Sequence, residues 1–416
     1  MNKSVNETCS DKIVAPDLAS PEFKANPYPF YARLRDEAPV WRTRLPGRRA
    51  AWLVTRYDDV AWVLKDDTFA KDKLNAMDPE QQARTPWVPR FLKPIERNML
   101  DLDAPDHMRL RALVSKAFTP RLVERLRGRI EELCEELLDA MEREAGRRGE
   151  AELVAGYALP LPATVIAELL GVPAEDHKKF HRWSSRLVSV SSGRDMLRFL
   201  PAALSFVRYL RRLVAERRAD PQDDLMSALV RAEEGDKLSE DEVLAMGFLL
   251  LVAGHETTVN LISGGTLALL EHPEQAERLG HDPSLIKPAV EELLRYTSPV
   301  EMATERYARE DVEIAGTRVP RGELVLAVLG SANRDGRRFE DPDALDLARD
   351  PNRHLAFGRG GVHHCLGAPL ARMEAQIAIN AFLRRFPGAR PAVAPENLRW
   401  RRGLFLRGLE GLPLVL

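Results

Sequence analysis

Phe357-Gly358-Arg359-Gly360-Gly361-Val362-His363-His364-Cys365-Leu366-Gly367, continued by Ala368-Pro369-Leu370-Ala371-Arg372, sets a lone thiol between glycine-rich chain and what reads as the start of a helix. Such a position presents one thiolate to one metal. Backbone N–H groups and the helix dipole favour negative charge at a helix N-terminus. Both lower a thiol pKa from its usual value of about 8.5. The glycines allow the main chain to approach a flat ligand where a Cβ would collide. The plain alternative is a buried structural cysteine after a glycine-rich turn. A zinc site built on His363-His364-Cys365 is disfavoured, because adjacent residues rarely converge on one tetrahedral ion and no second cysteine is near.

Outward from this loop, the 416-residue chain has 44% hydrophobic residues and a formal charge of −2, which excludes a disordered or fibrous protein. Near-neutral charge gives no reason to expect nucleic acid as a partner. Cys9, Cys134 and Cys365 are odd in number and widely spaced, which argues against a disulfide framework. Cys134, in Leu133-Cys134-Glu135-Glu136-Leu137-Leu138, reads as a small core hydrophobe, and Cys9 as incidental. Met1–Ser20 lacks the apolar core of a signal peptide, and no run of about 18 apolar residues is present. A soluble, cytoplasmic protein without membrane attachment is expected.

Apolar residues three and four apart predict helices over Pro120–Ala145, Asp241–Leu270 and Ser284–Tyr296. Strand signals are few: Ala51–Thr55, Val312–Val319 with a turn at Gly316, and Leu324–Leu329 after the turn Pro320-Arg321-Gly322. Asn333–Pro351 is dense in Asp, Pro, Gly and Arg and reads as a long irregular segment, which needs a functional reason. The expected fold class is mainly α with a minor β region. A flexible arm over 1–20 and a single domain over 21–416 are expected.

Three further constellations carry chemistry. Ala253-Gly254-His255-Glu256-Thr257-Thr258 places an acid and two hydroxyls inside the most apolar helix. Buried polar groups are costly without partners, and Gly254 costs about 1 kcal/mol relative to Ala. A threonine here can back-bond one turn earlier and distort the helix. The reading is a groove for a small ligand and water, with Glu256 feeding protons; the alternative is a satisfied polar kink. The segment fails as a metalloprotease HExxH, because Val259 occupies the last position. Glu292-Leu293-Leu294-Arg295 puts Glu292 and Arg295 on one helix face, where they can pair. His107 and Arg111, four apart, can grip an anion, as can Arg306 and His363.

Taken in order, AGHETT, ELLR with Tyr-Thr-Ser-Pro-Val, Asp346-Leu347-Ala348-Arg349, HLAFG and HHCLGAPLAR resemble the cytochrome P450 family, most closely its soluble bacterial members, over roughly Ala51 to Leu416. The resemblance implies heme b between a distal helix around 241–270 and a proximal helix around 366–385. It implies Cys365 as the thiolate ligand to iron, whose electron-rich sulfur favours O–O cleavage. Glu256 and Thr257 match the acid–alcohol pair that delivers protons, and Ala253 and Gly254 the oxygen groove. Glu292, Arg295 and Arg349 match a structural ion-pair set that fixes the segment before the cysteine. His107, Arg111, Arg306 and His363 match the groups that hold the propionates. Phe357, Gly358 and Gly367 belong to the cofactor loop. One departure stands out: the family places its Phe seven residues before the cysteine, and Phe357 is eight before.

The resemblance implies a monomeric monooxygenase that takes O2 and a small-molecule organic substrate. No iron–sulfur or dinucleotide motif is fused to the chain, so electrons are expected from a ferredoxin and ferredoxin reductase docking near Arg359, Arg372 and Arg109. A peroxide-driven peroxygenase and a non-catalytic heme or gas sensor are the competing readings; the acid–alcohol pair argues against both. Lys71–Asn98, Phe180–Val207, Leu244–Thr257, Val300–Thr304 and Gly403–Leu406 are expected to line the pocket. They mix aliphatic side chains (Leu187, Val188, Val190, Leu249, Val252, Met302, Leu404) and Phe405 with the serines 184, 185, 189, 191 and 192. This composition suits a mostly apolar polyketide, macrolide or terpenoid. Glu301 and Glu305 are expected at the surface.

Overall fold

Alternate side chains of short aliphatic strands face opposite sides of one sheet, and each side carries its own core. The computed structural model describes residues 13–45, 49–78, 82, 98–177, 179–180, 182–183, 196–234 and 238–416. They fall into two compact bodies: Met1–Thr85, Ser263–Cys365 and Val393–Leu412 form the first; Pro86–Ile262, Leu366–Ala392 and Pro413–Leu416 form the second. The whole is mainly helical with small sheets.

The first body holds a five-stranded sheet in the order Val40–Arg44, Ala50–Val54, Leu324–Ala327, Arg306–Ala308, Phe69–Ala70. Ala50–Val54 and Leu324–Ala327 run parallel, with Leu53 opposite Leu326; the other pairs are antiparallel. Val54, Val325 and Ala327 join one core with Phe339 and Leu355. Leu53, Leu324 and Leu326 join the other with Tyr31 and Trp41. This is the two-residue period of a strand buried on both faces. The expected Gly316 turn links Val312–Ile314 to Thr317–Val319, with φ of 47° at Ala315 and 78° at Gly316. Helix Ile286–Thr297 packs Val290, Leu293 and Leu294 inward.

The second body is a bundle whose members include Asp106–Ala117, Arg127–Arg148, Pro160–Leu169, Met196–Ala219 and Ala368–Arg385, with a small sheet of Ala151–Glu152, Pro413–Val415 and Arg390–Pro391. The helix expected over Pro120–Ala145 is broken: Pro120–Arg125 ends at Leu126, whose N–H turns back to Val123 O, and Arg127–Arg148 starts anew. Cys134 is buried on that second helix, as expected, and burial pushes its thiol up to about 12. Arg384 and Arg385 tie Ala368–Arg385 to Glu135 and Asp139 at 3.0 and 2.7 Å.

Glu240–Glu271 is the longest helix, opened by Glu240, Asp241 and Glu242 at its positive end. By length and composition it could cross a bilayer, but 61% of its most apolar window is buried inside the protein, as in a core helix.

Candidate functional site: the cysteine loop and the long helix

The cysteine loop is built upward from a buried ion pair. Glu292 and Arg295, one turn apart on Ile286–Thr297, are both fully buried. Arg295 Nε and Nη2 donate to the two carboxylate oxygens at 2.7 Å each. Its other donors go to the carbonyls of Asn333, Pro342 and Ala344 at 2.6–2.9 Å. Glu292 also accepts from Arg349 Nε at 3.1 Å, Asp346 N at 3.0 Å and Asn352 Nδ2 at 3.0 Å. Sequence spacing left the depth of this pair open; the structure buries it and gives every guanidinium hydrogen a partner. The pair and Arg349 thereby hold the irregular Asn333–Pro351 segment in place of secondary structure.

From there Asn333 Oδ1 accepts from Leu355 N at 2.8 Å, and Gly358 N donates to Leu355 O at 2.8 Å. Cys365 N donates to Phe357 O at 2.9 Å, closing the loop on itself. The extra residue is taken up inside: Gly358 and Gly360 adopt φ of 69° and 88°, and His364 N turns back to Gly361 O at 3.0 Å. Such φ values favour glycine. Phe357 lies between the rings of His354 and His364, at 6.1 and 6.5 Å. Cys365 is in no disulfide and is exposed, unlike a buried structural cysteine. Helix Ala368–Arg385 begins just after it, with Gly367 as N-cap. His363 is half-buried and Arg359 exposed on the loop. Among the described residues no group of three His, Cys, Asp or Glu side chains could hold a metal ion. Arg306 is buried on its strand, and its Nη2 donates to Leu64 O at 3.3 Å.

On the long helix, Glu256 is buried and Thr257 half-buried; Thr257 Oγ1 donates to Ala253 O at 3.2 Å without breaking the helix. Ala253 is exposed, flanked by half-buried Leu249, Leu250 and Val252, so this helix keeps an open apolar strip in the middle of its length. Gly254 has a packing reason as well: an added Cβ would lie 3.0 Å from Ile166 Cδ1. Two groups here escaped the sequence reading. His255 is fully buried with Nδ1 2.7 Å from Leu251 O. A carbonyl only accepts, so Nδ1 carries a proton, and Nε2 lies 3.8 Å from Glu256 Oε2. Glu374, on Ala368–Arg385, is buried and bonded to Thr258. An acid inside the apolar run Met373-Glu374-Ala375-Gln376-Ile377-Ala378 was the available signal. His107 is buried and Arg111 half-buried on Asp106–Ala117.

Several expectations need correction. Glu301 is not at the surface: it is 1% exposed, 3.0 Å from the fully buried Lys24 Nζ, and accepts from Tyr31 Oη. Glu305 is clasped by Arg49 at 2.9 Å and by Tyr307, and Arg49 holds its carboxyl below the usual range against burial. Met302 is fully buried in the sheet core, and Leu404 and Phe405 pack against that core. Lys71 is spent on Thr304 Oγ1 and Glu305 O at 2.6 and 3.0 Å. Arg109 pairs with Glu242, so it offers less free positive charge than expected. Most of the pocket segment before Asn98, and Leu187, Val188, Val190 and the five serines with them, lie outside the described residues.

A family profile, Cytochrome P450, matches residues 18–402. The polyketide biosynthesis cytochrome P450 PksS of Bacillus subtilis is 48% identical over 399 residues, 95% of this chain and 97% of its own. The 6-deoxyerythronolide B hydroxylase of Saccharopolyspora erythraea is 42% identical over 406 residues, 96% of this chain and 98% of its own. The solved structure of PksS superposes with a TM-score of 0.88 at 46% identity, covering 96% of this chain and 99% of that one. The chain therefore belongs to the cytochrome P450 family, as a monooxygenase of the soluble bacterial kind, and its cofactor is heme b. It acts on a small molecule and O2. The residues present fit that group: an exposed thiol on a glycine-lined loop and, in the same body, the buried guanidinium of Arg306.

Proposed function

We propose that Cys365, as thiolate, holds heme iron, and that the enzyme hydroxylates a largely apolar polyketide, macrolide or terpenoid in secondary metabolism. The observation that carries this is the exposed Cys365 thiol on a loop closed by its own N–H to Phe357 O. The names of PksS and 6-deoxyerythronolide B hydroxylase support the substrate class. Heme b, when bound, supplies the iron at which O2 is activated. Arg306 and His363 would hold its propionates by charge-assisted bonds; the family resemblance gives His107 and Arg111 the same role. Phe357, Gly358 and Gly367 shape the loop against it.

The protein's own task is proton management. Each turnover converts C–H, O2, two electrons and two protons into C–OH and water. Glu256 carries protons from solvent, and Thr257 orients them over the strip formed by Ala253 and Gly254. To act, the Thr257 hydroxyl rotates away from Ala253 O, a modest exchange of one hydrogen bond for another. Electrons come from a separate ferredoxin and its reductase, docking by Arg359 and Arg372, in a cytoplasmic setting.

Spectral titration of the holoenzyme with macrolactones and linear polyketides, followed by NAD(P)H-dependent turnover with ferredoxin and its reductase, tests this reading. A ligand-induced shift of the heme spectrum and coupled product formation are expected. Equal rates with hydrogen peroxide alone would instead make the protein a peroxygenase.

A further inference from the structure

A cavity of about 530 Å³ lies within the first body. Its walls come from helices Pro21–Ala25, Tyr28–Glu37 and Ile286–Thr297, the last turns of the long helix, Arg334, Asp343, and the chain between Pro395 and Arg407. None of them belongs to the cysteine loop or to Ala253–Thr258. The volume is that of a small-molecule site. Leu267, Ala268 and Leu398 supply apolar wall, and Tyr28, Tyr296 and Trp400 aromatic wall. Arg334 is 5% exposed, and its guanidinium lies over the rings of Tyr28 and Tyr296, 4.1 and 3.9 Å from their centroids. Nη1 donates to Asp343 at 2.8 Å and Nη2 to Tyr296 O at 2.9 Å. Nε has no hydrogen-bond partner among the described residues. Buried donors are almost always paired, so an orphaned guanidinium N–H on a cavity wall calls for an acceptor. Arg407 lies over Tyr28 as well, at 5.3 Å, and over Trp400 at 3.9 Å. It donates to Lys24 O and Ala25 O at 2.8 and 3.0 Å, and to no carboxylate among the described residues. Of the two acids on the wall, Asp343 is taken by Arg334, while Glu271 is exposed, so water can solvate it.

We propose that this cavity is a second small-molecule site, separate from the one at the heme, and that it takes an apolar organic acid whose carboxylate accepts from Arg334 Nε beside Arg407 while its apolar body rests on Leu267, Ala268 and Leu398. The donor is charged and held flat by two rings and Asp343, so the ligand need not order it. A carboxylate gains more from such a donor than a neutral carbonyl does. An amine cannot accept from it once protonated, and would meet two guanidinium groups. Glu271 opposes the anion by like charge. Desolvation raises its carboxyl, against the lowering by His272 and Arg407. It therefore weakens binding of an acid without preventing it, and its removal should tighten the complex.

The test is calorimetric titration of the holoenzyme with 2-naphthoate while excess 4-phenylimidazole blocks the heme pocket. One equivalent should bind with a Kd below about 1 mM and leave the heme spectrum unchanged. Naphthalen-2-ylmethylamine, with the same rings and the opposite charge, should bind at least about ten-fold more weakly. Leu398→Trp fills the cavity and should weaken 2-naphthoate at least about ten-fold at normal heme content. Arg334→Lys removes the Nε donor but keeps the charge, and should weaken it to a similar extent. Glu271→Gln should tighten it about three-fold. Absence of saturable binding in the blocked wild type overturns the proposal, as does equal affinity for the acid and the amine; neither result depends on a variant that folds. Wild-type affinity in Leu398→Trp, or weaker binding in Glu271→Gln, overturns it too.

Discussion

Gly361 lies against the carbonyl of Leu64, so close that a Cβ on Gly361 would sit 2.4 Å from that oxygen. The same oxygen accepts from Arg306 Nη2 at 3.3 Å. The extra residue of the cysteine loop is therefore wedged onto the end of helix Tyr57–Lys65, beside a proposed propionate ligand. Gly361→Ala must displace main chain. It should leave heme bound but shift the Fe(III)/Fe(II) potential and speed heme loss to apomyoglobin. Deleting Gly361 should also keep heme and move the potential. Unchanged potentials in both variants would remove any tuning role from the insertion.

Breaking the buried pair should be severe. Arg295→Leu strands Glu292 without its main partner, and losses of about 3–5 kcal/mol are typical of such changes. Arg349→Ala, at the partly exposed edge, should cost less. By contrast, removing the exposed Arg33–Glu37 pair, 2.9 Å apart, should cost under about 0.5 kcal/mol. Urea unfolding of the holoenzyme variants ranks the three.

Glu374 makes a signed prediction about pH. Its carboxyl is raised from an ordinary value of 4.5 to about 8, so in that window the folded protein binds a proton that the unfolded chain has lost. The contribution is fully present below pH 4.5 and is lost as pH rises to about 8, at up to about 1.4 kcal/mol per unit. Glu374→Gln should flatten that part of the stability profile. Identical slopes in both proteins would show that the carboxyl is ionised inside the fold.

Glu256→Gln and Thr257→Ala should each raise peroxide release at the expense of product, with losses on the order of 10²-fold for the acid. Oxygen-electrode stoichiometry against NAD(P)H checks this. Full coupling in both variants would leave the proton route without its proposed carriers.

Much of the site was legible because its chemistry is local. The cysteine loop, Glu292 with Arg295, and the Glu256–Thr258 run are each written within a few residues, and composition marks Asn333–Pro351 as irregular. What escaped depends on partners far along the chain. Glu301 reads as a surface acid until Lys24 and Tyr31, some 270 residues away, bury it. Glu374 reads as one polar residue on a helix until Thr258 meets it. At the break at Leu126 the signal is one glycine, Gly128, two residues on, and the apolar period runs straight through it. Depth of burial was equally hidden: an ExxR pair has the same spacing on a surface as in a core.

The central claim is that the Cys365 sulfur is the iron ligand. Its most direct test is the spectrum of the dithionite-reduced holoenzyme under carbon monoxide, for wild type and Cys365→His. The wild type should show the strongly red-shifted Soret band of thiolate ligation, and the variant the shorter-wavelength band of a nitrogen ligand. A red-shifted band that survives the loss of Cys365 would contradict the account.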